Sequence, residues 1–206
     1  MAIRQPKGKT VRRLGINIYG NPKYDKLLSR KPNGPGKERG MKKRGKMSVY
    51  GEQLKEKQKF RFAYGISERQ FRNLFKKANR LHGVTSDNMI SLMEQRLDNT
   101  IYRMGFAVSR AQARQMVSHA YFLINGKSVN IPSMCVSVND VITTKDKKGI
   151  QNLIRHNLTV NQGARGSWLS IDNEALSATV TVLPAASDVQ PVGQIQSVVE
   201  YYSRNA

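Results

Sequence analysis

The chain has 206 residues, with 35 Lys or Arg against 14 Asp or Glu and a formal net charge of +21. One cysteine, Cys135, excludes an internal disulfide, and with only three scattered histidines (His82, His119, His156) it excludes a cysteine-based zinc cluster. No apolar run reaches the roughly 20 residues a membrane helix needs and no signal-peptide stretch is present, so the composition points to a soluble cytoplasmic protein that meets a polyanion.

The charge is unevenly spread. Residues 1–46 carry fifteen Lys or Arg against Asp25 and Glu38, a local excess of +13. Glycine and proline interrupt this stretch repeatedly, and it shows no apolar face of helical period, which excludes an interfacial membrane helix. The expectation is an extended basic arm without a core, ordered when phosphates neutralise it. Its one candidate helical turn is residues 24–28.

The pattern over residues 48–104 is helical. Residues 51–62 read as one helix. Ser67 and Gln70 have capping-box spacing, and Phe71, Leu74, Phe75, Ala78 and Leu81 follow on one face. Arg69, Arg72, Lys76 and Arg80 form a second stripe, spaced three, four and four. Like charges at that spacing destabilise an isolated helix, so the stripe is either a solvated face or a phosphate-binding ridge. Gly83 ends this helix and Ser86 is the expected cap of the next, with Leu92, Met93, Leu97, Ile101 and Met104 buried.

From residue 105 the pattern changes. Ser109 is the expected cap of a short helix running to about His119, with Ala113, Met116 and Val117 inward and Arg110 and Arg114 outward. Residues 122–129 (FLINGKSV) present two short strands around Asn-Gly, the strongest local signal for a two-residue hairpin. Val136, Val138, Val141 and Ile142 supply more strand, broken at Asn139-Asp140. Residues 146–166 are polar and turn-rich, with a possible helical turn at 150–155. Residues 178–183 alternate as a strand, and 195–202 read equally as helix or strand.

Catalytic chemistry is not visible. No Walker sequence, dinucleotide fingerprint or Ser/His/Asp set stands out, and no cofactor, metal or small-molecule substrate is expected. Asp98, beside Arg96, reads as a salt-bridge or loop hydrogen-bond partner. The fold class is α+β: a basic N-terminal arm (1–46), a mainly helical domain (47–95, completed by about 160–206), and an inserted α/β module of two helices plus β-hairpins (96–159).

Several stretches resemble one known family. Residues 93–106 (MEQRLDNTIYRMGF), 109–115 (SRAQARQ) and 124–127 (INGK) resemble the RNA-binding module of the bacterial small-subunit ribosomal protein S-four family. Tyr50-Gly51, residues 53–59 (QLKEKQK), Tyr64-Gly65 and residues 68–72 (ERQFR) resemble its helical domain, and Trp168-Leu169 and residues 199–204 (VEYYSR) fit its C-terminal part. The matches run in order along nearly the whole chain. The module alone also occurs in pseudouridine synthases and some aminoacyl-tRNA synthetases, so an RNA-modifying enzyme fragment and a nonspecific polyanion binder are the alternative readings.

The resemblance implies a structural, non-enzymatic protein of the small ribosomal subunit. It implies direct, early binding of 16S rRNA at a junction in the 5′ domain, and a place near the mRNA entrance beside ribosomal protein S-five. It implies that Lys42, Lys43, Arg44 and Lys46 lie near incoming mRNA and act in its unwinding, and that some members repress their own operon. The RNA-contact residues expected on this basis are Arg69, Arg72, Lys76 and Arg80 on the helical ridge, and Arg96, Arg103, Arg110, Gln112, Arg114, His119 and Lys127 in the module. The module would read the shape of folded RNA through phosphate and 2′-hydroxyl contacts. The chain departs from the family pattern in lacking the N-terminal zinc-binding cysteines of many members. Residues 35–40 (PGKERG) also lack the family's histidine, and residues 184–187 (PAAS) lack charges often found there.

Overall fold

The computed structural model describes residues 6–36, 48–160 and 166–204. They fall into two units, one within residues 1–76 and 191–206, the other within 77–190.

The first unit begins with α1 (Lys7–Leu14) and α2 (Pro22–Arg30). Val11, Leu14 and Ile18 are buried between flanking cations. Gly8 permits close approach of the two helices, since a Cβ there would lie 3.0 Å from Leu27 Cδ2. Asn21 caps α2 through the Lys23 N–H at 2.9 Å, with Pro22 in the first turn. Arg12 donates to the carbonyls of Asn33 and Gly34 at 3.0 and 3.3 Å, tying down the chain beyond α2. The expectation of an arm without a core is therefore corrected for residues 6–36. Val11 and Leu14 bury one face of α1 and Ile18 follows just beyond it, although cations surround them in sequence. The remainder of the arm lies outside the described residues.

Helix α3 (Val49–Ala63) is capped by Ser48, which accepts from the Gly51 N–H at 3.2 Å. Helix α4 (Glu68–Arg80) opens with the expected box: the Gln70 N–H donates to Ser67 Oγ at 3.3 Å and the Ser67 N–H to Gln70 Oε1 at 3.4 Å. The C-terminal stretch is helix, α9 (Ile195–Arg204), and packs on α3. Its Tyr202 stacks on Phe75 with centroids 5.0 Å apart and donates its hydroxyl to Glu68 at 2.9 Å. The buried Lys57 ammonium also donates to Glu68, at 2.7 Å, and lies 4.4 Å from the centre of the Tyr201 ring. Burial, then the hydrogen bond to Glu68, pushes the Tyr202 hydroxyl far above the usual tyrosine range. Partial burial opposes the Glu68 charge, but bonds from Lys57 and Tyr202 and the charges of Lys57 and Arg61 hold its carboxyl below the usual range.

The second unit starts at the end of α4, where the Asn88 side-chain amide donates to the carbonyls of Ala78, Leu81 and His82. Leu81 is exposed, outside the stripe expected of it, because the helix ends at Arg80. Helix α5 (Thr85–Glu94) begins one residue before Ser86, which is buried in its first turn; Val84 holds the cap position, so Ser86 is not the cap. Helices α6 (Leu97–Arg103) and α7 (Arg110–Ser118) follow, the latter capped as expected by Ser109, whose hydroxyl accepts from the Gln112 N–H at 3.3 Å.

Five antiparallel strands complete this unit: β1 (Phe122–Ile124), β2 (Lys127–Val129), β3 (Val141–Thr144), β4 (Leu169–Asp172) and β5 (Ser177–Val180), in the spatial order β2-β1-β3-β5-β4. The Asn-Gly hairpin forms as read, with φ of 50° at Asn125 and 79° at Gly126 and Ile124 opposite Lys127. Asn125 uses both ends of its side chain, accepting from the Val141 N–H and donating to Asp140, each at 2.9 Å. Between β3 and β4 lies α8 (Lys148–Val160), a full helix where only a turn was expected. Its Ile150 and Ile154 enter the core, and Asn157 donates to the Phe106 carbonyl at 2.9 Å. Residues 160–206 were expected to complete the helical domain. Pairing of β5 with β3 instead takes residues 169–180 into the hairpin's sheet, and residues from 191 on group with α3. Residues 77–95 likewise group with the sheet rather than with the helical unit. Phe106, Phe122, Leu97, Ile101 and Met104 are wholly buried in the core of this second unit, each contributing about 1.5–3 kcal/mol by leaving water.

Candidate nucleic-acid interface

The α5–α6–α7 corner carries a network of four arginines on two buried acids. Glu94, the last residue of α5, is 0 % exposed. Its carboxylate accepts from Asn99 Nδ2 at 2.7 Å and from Arg103 Nε and Nη2 at 2.8 and 2.9 Å, with Arg110 Nη2 at 3.9 Å. One helical start further on, Asp98 accepts from Arg96 Nε and Nη2 at 3.1 and 2.8 Å and from Arg114 Nη1 at 3.3 Å. A lone buried carboxylate is costly, and a two-pronged guanidinium is the group that best offsets this. Four guanidinium groups on two carboxylates leave the corner net positive.

This geometry separates residues that looked alike in sequence. Arg96 is 3 % exposed and is withdrawn from the surface, its donors turned to Asp98. Arg103, Arg110 and Arg114 keep an exposed edge. Arg110 donates from Nε to Asn99 Oδ1 at 2.7 Å and lies 4.6 Å from the Tyr102 ring centre. Arg110 and Arg114 were expected to face outward; they lean instead onto α6, because the buried acids require counter-charge. Their fixed, exposed guanidinium edges are suited to phosphate oxygens, which accept in the same fork geometry.

The ridge on α4 is different. Arg69, Arg72, Lys76 and Arg80 are all exposed, on the side of the helix away from buried Phe71, Phe75 and Ala78. Among the described residues none of the ion pairs uses them. Glu68, which adjoins Arg69 in sequence, is committed to Lys57 and Tyr202. The ridge is thus a row of uncompensated charge, and an external anion relieves its self-repulsion.

The remaining expected contacts divide. The Gln112 side-chain Oε1 is occupied locally, accepting from the Val108 N–H at 2.8 Å. His119 is exposed at the end of α7, and Lys127 is exposed at the start of β2. Lys42, Lys43, Arg44 and Lys46 lie outside the described residues. Sequence reading missed Glu94, Asn99 and Tyr102 as partners of the arginines; their contacts cross two helix boundaries, where no single period applies. The arm cations that the sequence counts only by charge include Lys9, Arg13, Lys23 and Lys26, which are exposed on α1 and α2. Among the described residues no group of His, Cys, Asp and Glu is arranged to hold a metal ion, and no helix is long and apolar enough to cross a membrane.

Comparison with known proteins gives two family matches. Residues 2–94 match the ribosomal protein S4/S9 N-terminal domain, and residues 95–142 match the S4 domain. The chain is 84 % identical over 206 residues to the small ribosomal subunit protein uS4 of Treponema denticola, covering all of both chains. It is 71 % identical over 204 residues to the protein of that name from Treponema pallidum, covering 99 % of this chain and 100 % of that one. The uS4 protein of Borrelia hermsii is 48 % identical over 202 residues, 97 % of each chain.

Proposed function

Because this chain belongs to the family of small ribosomal subunit protein uS4, and is as such a structural constituent of the small subunit, we propose that it binds 16S rRNA directly and nucleates assembly of the 5′ domain. The observation that carries this reading is the corner of α5, α6 and α7, where buried carboxylates hold arginine edges in place before any partner arrives. Arg103, Arg110 and Arg114 engage backbone phosphates and 2′-hydroxyls of a folded RNA, whose shape rather than base sequence they read. The α4 ridge and the cations of α1 and α2 add contacts that depend on charge alone and release counterions.

In the same reading the protein sits near the mRNA entrance beside ribosomal protein S-five, with Lys42, Lys43, Arg44 and Lys46 acting on incoming mRNA in unwinding and accuracy. The role is structural and not catalytic, within the bacterial cytoplasmic ribosome. The test is a salt titration of binding to a 16S 5′-domain transcript with excess tRNA as competitor. Tight binding that survives the competitor and falls steeply with salt is expected. Affinity equal to that for tRNA, or for duplex DNA, would instead favour nonspecific polyanion binding.

A further inference from the structure

We propose that the stacked rings of His119 and Tyr121 form a platform for one unpaired RNA base, a proposal that rests on the RNA-binding reading and assigns this site its ligand chemistry. The two ring centroids are 5.6 Å apart with planes 24° from parallel, an offset stack. The inner ring, Tyr121, is half-buried and packs against the hydrophobic cluster of its unit, while the outer ring, His119, is exposed. A planar group landing on His119 would extend a stack whose base is fixed in the core.

The backbone imposes this arrangement. Helix α7 ends in a paired hydrogen-bond motif: the Tyr121 N–H donates to the Met116 carbonyl at 3.2 Å and the Ala120 N–H to that of Val117 at 2.8 Å. Ala120 is thereby held at φ 55°, a left-handed conformation that a residue with a Cβ seldom adopts. That turn brings residue 121 back beneath residue 119. A position over-determined in this way serves presentation better than a freely rotating ring does. The Lys145 N–H donates to the Tyr121 carbonyl at 2.9 Å, which sets the Lys145-Asp146-Lys147-Lys148 segment beside the platform. Its exposed Lys147 and Lys148 are suited to the phosphates flanking a stacked base.

These features select the ligand. Bases within a duplex are already stacked and cannot reach a side chain on a helix end, whereas a bulged or junction nucleotide can. Every base has a π face, so the platform tolerates sequence and demands only an unpaired nucleotide.

The test uses the full chain with His119→Ala and His119→Phe, each checked for native circular dichroism. Binding is measured across a salt series to the 5′-domain transcript and to a short single-stranded oligoadenylate. Loss of the ring should weaken binding to both by about 5- to 160-fold, the range for one base stacked on an aromatic side chain. Phenylalanine should restore it to within about twofold, and the salt slope should be the same in all three proteins because stacking a base on a ring makes no phosphate contact and so releases no counterions. Unchanged affinity for the alanine variant would overturn the platform. So would failure of phenylalanine to restore binding, or a slope lowered by about one, the mark of a phosphate contact. Failure of the underlying rRNA reading is read elsewhere, from the wild-type protein preferring the transcript no more than tRNA. The oligoadenylate comparison still decides the platform in that case.

Discussion

Arg103 grips both oxygens of the fully buried Glu94 carboxylate, at 2.8 and 2.9 Å, across the break between α5 and α6. This pair is the hinge pin of the arginine network, since Asn99 and Arg110 join it on the same carboxylate. Replacing Glu94 with Ala leaves the guanidinium groups without their counter-charge. Breaking a buried pair typically costs 3–5 kcal/mol. The expected loss here is at the low end, about 3 kcal/mol, because Arg103 and Arg110 retain a solvent edge. Equilibrium denaturation measures it, and a loss below about 1 kcal/mol would mean that the network does not hold the corner together.

The α4 ridge and the corner should respond in opposite ways to mutation. Arg72→Ala with Lys76→Ala removes exposed charges that make no internal ion pair, so stability should stay within about 0.5 kcal/mol per site. RNA affinity should fall, with the salt slope reduced by about one for each cation withdrawn from a phosphate. Arg96→Ala should do the reverse, destabilising the fold by leaving buried Asp98 with Arg114 as its one remaining guanidinium in the network, while leaving the salt slope of the folded fraction unchanged. Denaturation and a salt-dependent binding series on the wild type and both variants separate the two effects.

Loss of selectivity should follow from Arg110→Ala combined with Arg114→Ala. These edges are held in fixed positions, so their removal should narrow the gap between 5′-domain RNA and tRNA more than removal of the α4 charges does. Competition binding measures the ratio. An unchanged ratio would take the α7 arginines out of the recognition role.

The Tyr202–Glu68–Lys57 contact predicts the pH profile of the helical unit. Tyr202 has a raised folded pKa, so its stabilisation is complete below the ordinary value of 10.0. It is lost as pH rises above that value, where the unfolded chain releases the proton that the folded chain keeps. Glu68 has a lowered folded pKa, so its contribution is present above the ordinary 4.5 and is lost as pH falls below it. Thermal melts of Tyr202→Phe should show a shallower alkaline decline than the wild type. An identical alkaline slope in the two proteins would exclude Tyr202 as its source.

For the role at the mRNA entrance, Lys43→Ala with Lys46→Ala should slow translation through a structured message and leave an unstructured one unaffected. Reconstituted translation of paired reporters provides the comparison. Equal speed on the structured message would remove these two lysines from that role.

Much of the fold was legible because local chemistry and burial agreed. Ser67 with Gln70, Ser109 before α7, and Asn125-Gly126 each encode a structure within four residues, and each formed as read. Where the sequence misled, burial was decided by partners far along the chain. Val11, Leu14 and Ile18 are three apolar residues in a run of cations, and composition alone made the segment look unfolded. Helix α8 lacks acids in its first turn and follows a string of lysines, so its apolar stripe of Ile150 and Ile154 was read too short. Ser86 had the chemistry of a cap but sits one position inside. The site was legible as a set of cations and not as an arrangement. Nothing local to Arg96 and Arg114 tells that one is sealed against Asp98 while the other keeps an exposed edge.

The hairpin turn also bears on how the molecule ages. An asparagine followed by glycine is the pair at which the backbone nitrogen most readily attacks the side-chain amide, converting it to aspartate or isoaspartate. In the folded chain Asn125 has that amide engaged at both ends, by Val141 and Asp140, and its backbone is locked in a left-handed turn. Ring closure would require all three restraints to release together. The native fold therefore preserves the residue on which its own hairpin depends, and chemical wear at this position records time that the chain has spent unfolded.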